Sequence, residues 1–215
     1  MTIIKISDES FQAVPVFPLS GQALFPYMSL PLHIFEPRYV EMIEYALEHD
    51  KLIAIADVRA EDPNPALPPM MGAGVIVYEK KLQGQRYNIL LQGITRVRLI
   101  EERPQVRSFR QAKAQILMNE EERDQGLVEL DLSVRDLIVQ LGEQHPDERE
   151  AFHELLEHAS NPLLLSELSA ARLLRDLPRR RLAFATLSPS RRLEVIIDGL
   201  GELLMRGASE LDEEH

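Results

Sequence analysis

The apolar positions of this chain follow two different rules. Up to about residue 118 they come in short runs or alternate with polar ones, and beyond it they recur every three to four residues. Period two marks a half-buried strand, and the longer spacing marks one face of a helix. In the second half, Leu127, Leu130, Val134, Leu137, Ile138 and Leu141 share one face of a helix over 120–142. Phe152, Leu155 and Leu156 continue the pattern over 146–159. Asn161-Pro162 is an N-cap followed by proline, the signature of a helix start, and the helix runs to about residue 177. Pro178 opens a short helical piece, and Ser188-Pro189 opens a last helix with Leu193, Ile196, Ile197 and Leu200 inward. These segments predict a bundle of four or five helices.

The first half is organised around residues 14–39, VPVFPLSGQALFPYMSLPLHIFEPRY, where five prolines interrupt an apolar run. Each proline fixes its own φ and pushes the preceding residue towards extended geometry, so the run is not a helix. It reads as strands over 13–17 and 29–35 with a turn at Ser20-Gly21, on the rim of a sheet because proline donates nothing to a ladder. Pro37 starts a helix with Tyr39, Met42, Ile43, Ala46 and Leu47 on one side. Residues 52–58 are an apolar run of strand length, and the four prolines within 59–71 make that segment a loop. Strands over 72–82 and 85–91 form a hairpin around Gly84, and further strands cover 94–101 and 110–118. Six or seven strands and one helix favour an antiparallel, barrel-like sheet.

Charge supports the same division. Residues 1–118 carry 13 Lys+Arg and 13 Asp+Glu, whereas residues 119–215 carry 11 and 22 and so hold the entire net charge of -11. The expected organisation is a polar lead over 1–12, a β-rich unit over 13–118, a helical unit over 119–206 and an acidic tail over 207–215. The acidic balance disfavours phosphate backbones and anionic membranes. No apolar run approaches the roughly 20 residues of a membrane span, and residues 1–11 show no signal-peptide pattern. The absence of cysteine excludes disulfides and thiolate chemistry, and fits a reducing cytoplasm.

The search for catalytic chemistry returns little. There is no Gly-Lys-Ser or Gly-Lys-Thr, no Gly-x-Gly-x-x-Gly and no Gly-x-Ser-x-Gly. His153-Glu154-Leu155-Leu156-Glu157-His158 nearly spells a zinc-protease helix. Its histidines stand at i and i+5, about 140° apart around a helix, where one metal requires i and i+4. No metal and no cofactor is expected. What remains is binding: Phe25, Tyr27 and Met28 form one apolar loop, and Met70 and Met71 end another. Methionine and aromatic side chains on loops adapt to varied apolar partners. The same residues would also serve simply to close the ends of a barrel.

The strings Val16-Phe17-Pro18-Leu19, Leu24-Phe25-Pro26 and Leu30-Pro31-Leu32-His33-Ile34-Phe35-Glu36-Pro37-Arg38-Tyr39 resemble the amino-terminal, substrate-binding domain of Lon proteases. Gly72 and Tyr87-Asn88-Ile89-Leu90-Leu91-Gln92-Gly93-Ile94, with Arg96-Val97, resemble its second signature, and together the match spans about residues 13–206. The resemblance implies an α+β chain: a PUA-like six-stranded pseudo-barrel with one helix, then a C-terminal helical bundle. In the family this domain recognises damaged or tagged polypeptides, while ATP hydrolysis and the Ser-Lys dyad belong to later domains.

The expected function is therefore a non-catalytic, cytoplasmic module that binds unfolded, tagged or exposed apolar segments at Phe25, Tyr27, Met28, Met70 and Met71. A protease acting in trans is a partner that this reading allows. Two alternatives stay open: an enzyme with a carboxylate and histidine cleft, and an RNA-binding module using Arg96, Arg98, Arg103, Arg107 and Arg110. A cluster of perturbed carboxylates would favour the first. A contiguous basic surface would favour the second.

Overall fold

The computed structural model describes residues 6–59, 65–121 and 125–213, with side chains through residue 205. It divides into two compact units, Met1–Met118 and Asn119–His215. The first holds β1 (Val14–Ser20), β2 (Ser29–Ile34), α1 (Pro37–Glu48), β3 (Leu52–Val58), β4 (Met70–Leu82), β5 (Arg86–Glu102) and β6 (Arg110–Leu117). These strands form one sheet in the order β2-β5-β4-β3-β1-β6. The far half of β5 also pairs with β6, from Arg96 opposite Leu117 to Glu102 opposite Ala112, so the sheet curls back on itself. Strand β2 is left as an added edge on the near half of β5.

The sheet is mixed, not antiparallel as the strand pattern favoured, because β1 and β3 run parallel. Parallel neighbours need a crossover of a dozen or more residues, and β2 with α1 supplies it. A second difference concerns Gly93, which reads in the sequence as a break between two strands. It lies instead inside the continuous β5.

Side chains alternate between two cores. Ile53 and Ile55 of β3 join Phe17, Ile76, Ile89 and Leu91 beneath Tyr39, Met42 and Ile43 of α1. Leu52, Ala54 and Ala56 join Val14, Val16, Met71, Ala73 and Val97 on the other face. Burial on both faces is why β3 reads as an unbroken apolar run. Residues Asp8–Phe11 form a 3-10 turn that buries Phe11 in this second core, so the lead expected to be merely polar is anchored. Residues 60–64 of the expected loop lie outside the described residues. The strand that follows begins earlier than the prolines suggested, and it absorbs Met70 and Met71.

The second unit contains α2 (Gln125–Gln144), α3 (Arg149–His158), α4 (Pro162–Leu173), α5 (Leu177–Ala185) and α6 (Pro189–Glu213). Asn161 Oδ1 accepts the Leu164 N–H and Asp176 Oδ2 accepts the Arg179 N–H, each at 2.9 Å, capping α4 and α5. Helix α6 continues through Glu213, so the tail expected from residue 207 is helical backbone up to that point.

At the centre of this unit Arg192 is fully buried beside the equally buried Glu167. Its Nη1 donates to Glu167 Oε1 and Ser166 Oγ at 2.8 Å, and its Nη2 to Asn119 Oδ1 at 2.8 Å and to the Thr186 carbonyl at 2.6 Å. Its Nε reaches the Ala183 carbonyl at 3.2 Å. Two of those acceptors are carbonyls at the C-terminal end of α5, where the intrahelical ladder runs out and the Ala183 carbonyl also receives the Thr186 N–H at 3.4 Å. One side chain thus joins α4, α5, α6 and the segment that opens the unit.

Candidate functional site

The first candidate loop is held down by glycines. Gly72 and Gly74 of β4 and Gly93 of β5 occupy neighbouring positions, Gly74 opposite Gly93 and Gly72 opposite Arg96. Together they leave a patch of sheet without side chains, and the segment carrying Leu24 and Phe25 lies directly on it. A Cβ at Gly72 would fall on the Leu24 carbonyl oxygen, and one at Gly93 on the Phe25 carbonyl oxygen. Glycine is required here for close approach of one backbone to another. The loop is then strapped by the Tyr27 N–H donating to the Gly93 carbonyl at 2.9 Å and the Gly93 N–H donating to the Met28 carbonyl at 2.8 Å.

This strap sorts the five candidate residues. Phe25 is 1% exposed and Met71 0%. The Phe25 ring centroid lies 5.5 Å from the guanidinium carbon of the buried Arg96. Both are therefore supports and not contact surface. Met28 and Met70 are half-buried. Tyr27 is 52% exposed and holds a φ of 65°. A bulky residue in the left-handed region costs roughly 1–2 kcal/mol and persists only where the surrounding structure holds it there, as the strap does.

Tyr27 stands at one end of β2, and β2 leads on to a surface that the loop-centred reading missed. In β2 the residues Leu30, Leu32 and Ile34 turn towards α1. The intervening Pro31 and His33 are exposed on the other face. Register carries this outer face across three strands: Pro31 lies opposite Leu90 and Leu90 opposite Tyr78, and in the next row His33 lies opposite Asn88 and Asn88 opposite Lys80. Tyr78 is 53% exposed, and Phe35, just beyond β2, is 63% exposed. The His33 and Phe35 rings stack at 6.0 Å, and His33 Nδ1 lies 2.6 Å from Asn88 Oδ1. The turn at Gly84 and Gln85, both with positive φ, sets this register. Period-two reading of 78/80/82 and 86/88/90 carried the signal, but which face would be covered by α1 was not visible.

The alternatives find less support. Arg96 is buried, Arg110 forms a two-pronged pair with Glu102 at 2.6 and 2.7 Å, and Arg103 and Arg107 stand 3.6 Å from Glu101 and 3.9 Å from Glu41. Arg103, Arg107 and Arg110 are thus matched by carboxylates and Arg96 is buried, which leaves exposed Arg98 and not a contiguous basic surface. His153 pairs with Glu157 and His158 with the Glu154 carbonyl, each within its own helical turn. Among the described residues no three metal-ligating side chains converge.

One carboxylate with a shifted pKa is Glu44. Its Oε1 accepts from Lys81 Nζ and from the Tyr87 hydroxyl, both at 2.9 Å. Those bonds, the one from Lys81 first, hold its pKa below the ordinary value, and that of Lys81 is raised first by hydrogen bonding with Tyr87 and then by that with Glu44. Glu44 and Lys81 are both well exposed, and the geometry is that of a surface ion pair bracing α1 against the β4–β5 hairpin.

A model of the ATP-dependent protease La (LON) substrate-binding domain matches residues 13–201. The chain belongs to the Lon substrate-binding domain family. Lon protease 2 of Myxococcus xanthus is 24% identical over 194 residues, which cover 87% of this chain and 23% of that protein. The Lon protease of Heliobacterium modesticaldum is 32% identical over 97 residues, 43% of this chain and 12% of the relative. The chain thus spans about a quarter or less of the curated Lon relatives it matches. The N-terminal domain of a Mycobacterium avium complex Lon protease superposes with a TM-score of 0.70 at 18% identity, covering 88% of this chain and 98% of that one. A Lon N-terminal domain protein from Xanthomonas campestris gives 0.65 at 16%, covering 86% and 97%. The Lon-type fold, a mixed six-stranded sheet followed by helices, is shared. Among the described residues no helix is long and apolar enough to cross a membrane.

Proposed function

We propose that this chain is a non-catalytic polypeptide-recognition module, and that extended apolar segments of unfolded or tagged proteins lie along β2 on the outer face of the β2–β5–β4 sheet. The observation that carries this reading is Tyr27, an exposed ring held in a costly backbone conformation by a glycine-seated strap. From Tyr27 the face runs past Pro31, Leu90 and Tyr78 to Phe35. That length matches about eight residues of extended chain, close to 27 Å. Met28 and Met70 contribute adaptable contacts at its start, and Phe25 and Met71 hold the strap from below. Pro31 presents no N–H to solvent, which blunts the free edge of β2 against strand addition and favours docking by side chains on the face. Recognition is this chain's share of the work, performed in the cytoplasm. Hydrolysis falls to an ATP-dependent protease acting in trans, of the kind its relatives are named for.

The test is fluorescence anisotropy with a labelled, reduced and carboxymethylated protein that stays unfolded. Saturable binding is expected, with Tyr27→Gly and Tyr78→Ser each weakening it at least fivefold, as loss of an aromatic anchor does. Tyr27→Gly removes left-handed strain and so should keep the fold to within ~1 kcal/mol. Absence of binding by the wild-type chain, or binding by both variants as tight as the wild type's, would overturn the assignment.

A further inference from the structure

The outer face has a charge pattern as well as an apolar one. Its three rows lie two residues apart along the strands. The first is Pro31–Leu90–Tyr78, the second His33–Asn88–Lys80, and the third brings Arg86 opposite Leu82. Lys80 and Arg86 are exposed. Arg86 Nε donates to the Gln83 carbonyl at 3.2 Å, which leaves its forked end for other acceptors. The carboxylates nearby are directed elsewhere. Glu79 alternates to the opposite face and meets Lys51 at 3.4 Å, and Glu36 is taken by Arg38 at 2.8 Å. Among the described residues, no carboxylate stands in the three rows. The face therefore carries Leu90 and Tyr78 in its first row and one cation in each of the next two, Lys80 and then Arg86, the last row also holding Leu82 with exposed Phe35 near it.

Resting on the polypeptide-recognition reading, we infer that this face selects client segments in which an apolar residue is followed at the second and fourth positions by carboxylates. An extended segment lying along the strands presents alternate side chains to the sheet, with the same period of two and the same rise per residue as the rows beneath it. Its apolar side chain covers Leu90 and Tyr78, its first carboxylate reaches Lys80 and its second Arg86, where a bidentate pair can form. Moving the carboxylates by one position turns them away from the sheet.

The experiment measures anisotropy with three labelled peptides of otherwise equal composition. One carries Leu at i with Asp at i+2 and i+4, one carries Asp at i+1 and i+3, and one carries Asn in place of Asp at i+2 and i+4. The first should bind about fivefold more tightly than the other two, the size expected for two exposed ion pairs. The advantage should vanish near 1 M salt, where the screening length falls to about 3 Å. The double variant Lys80→Glu/Arg86→Glu should instead prefer the same peptide with Lys in place of Asp, and far-ultraviolet circular dichroism should show it folded. Equal binding of all three peptides overturns this selectivity and leaves polypeptide recognition standing. Binding of none, with the unfolded protein also ignored, removes both.

Discussion

Substituting Gly93 by alanine adds one methyl group where the structure has no space. The new Cβ would meet the Phe25 carbonyl oxygen well inside the 3.0 Å that real Cβ contacts respect, and that oxygen belongs to backbone. Overpacking of a filled site costs about 1–3 kcal/mol when neighbours can shift. Here the relief is for the strap to lift. That breaks the two hydrogen bonds between Gly93 and residues Tyr27 and Met28, at about 1 kcal/mol each. It also partly uncovers Leu24 and Phe25, which are 2% and 1% exposed. A loss of about 3 kcal/mol follows, equivalent to a fall of ~1.5 M in the urea midpoint for a slope near 2 kcal/mol per molar. The chain contains a reporter for the first unit: all five tyrosines lie between residues 27 and 87, and there is no tryptophan. Tyrosine emission during a urea titration therefore reads that unit alone. Gly201→Ala is the control, because a Cβ there meets nothing within 4 Å and lies in helix α6. Followed by circular dichroism at the helical band, since no tyrosine reports on that unit, it should raise helix stability by up to about 1 kcal/mol. A Gly93→Ala midpoint indistinguishable from wild type would refute the strap as the reason for glycine at this position.

Other outcomes follow from the same geometry. Phe25→Ala should cost about 3–5 kcal/mol in urea unfolding, the range for emptying a buried aromatic site, so weakened client binding by this variant would report a loosened fold. Arg192→Leu should destabilise the second unit by about 3–5 kcal/mol, because it leaves Glu167 charged and buried; thermal melts followed by circular dichroism at the helical band would show it. The Glu44 pair gives a pH signature. Its folded pKa lies below the unfolded one, so its contribution is complete above the ordinary carboxylate range and is lost as pH falls through the lowered folded value. Tyrosine-detected stability of Glu44→Gln measured from pH 7 to pH 3 should show a shallower acid decline than wild type.

The period of the apolar pattern made the helices legible, and proline placement did the same for the corners of β1 and β2. The parallel pairing of β1 with β3 was hidden, because nothing local to VPVF or LIAIADV states which way a neighbour runs. The candidate site divided along a similar line. Exposed Tyr27 and buried Phe25 sit in the same short apolar string, and what separates them is the packing of the Phe25 ring beside buried Arg96, 71 residues away. Met70 and Met71 looked like the end of a proline-rich loop, yet ladder partners Arg98 and Val97 draw them into β4. The outer face depended on knowing which side α1 covers, a tertiary fact that alternation alone does not contain.

Strand β1 sits between β3 and β6, partners that follow it by dozens of residues in the chain. During synthesis the amino-terminal apolar strand must therefore wait, one edge unpaired, until residues near 112 have left the ribosome. Contacts of such long sequence separation form slowly, and an unpaired strand is prone to wrong partners while it waits. If the proposed recognition of apolar segments holds, the chain passes through a state in which it displays such a segment itself, and its own first strand resembles what its finished face would hold.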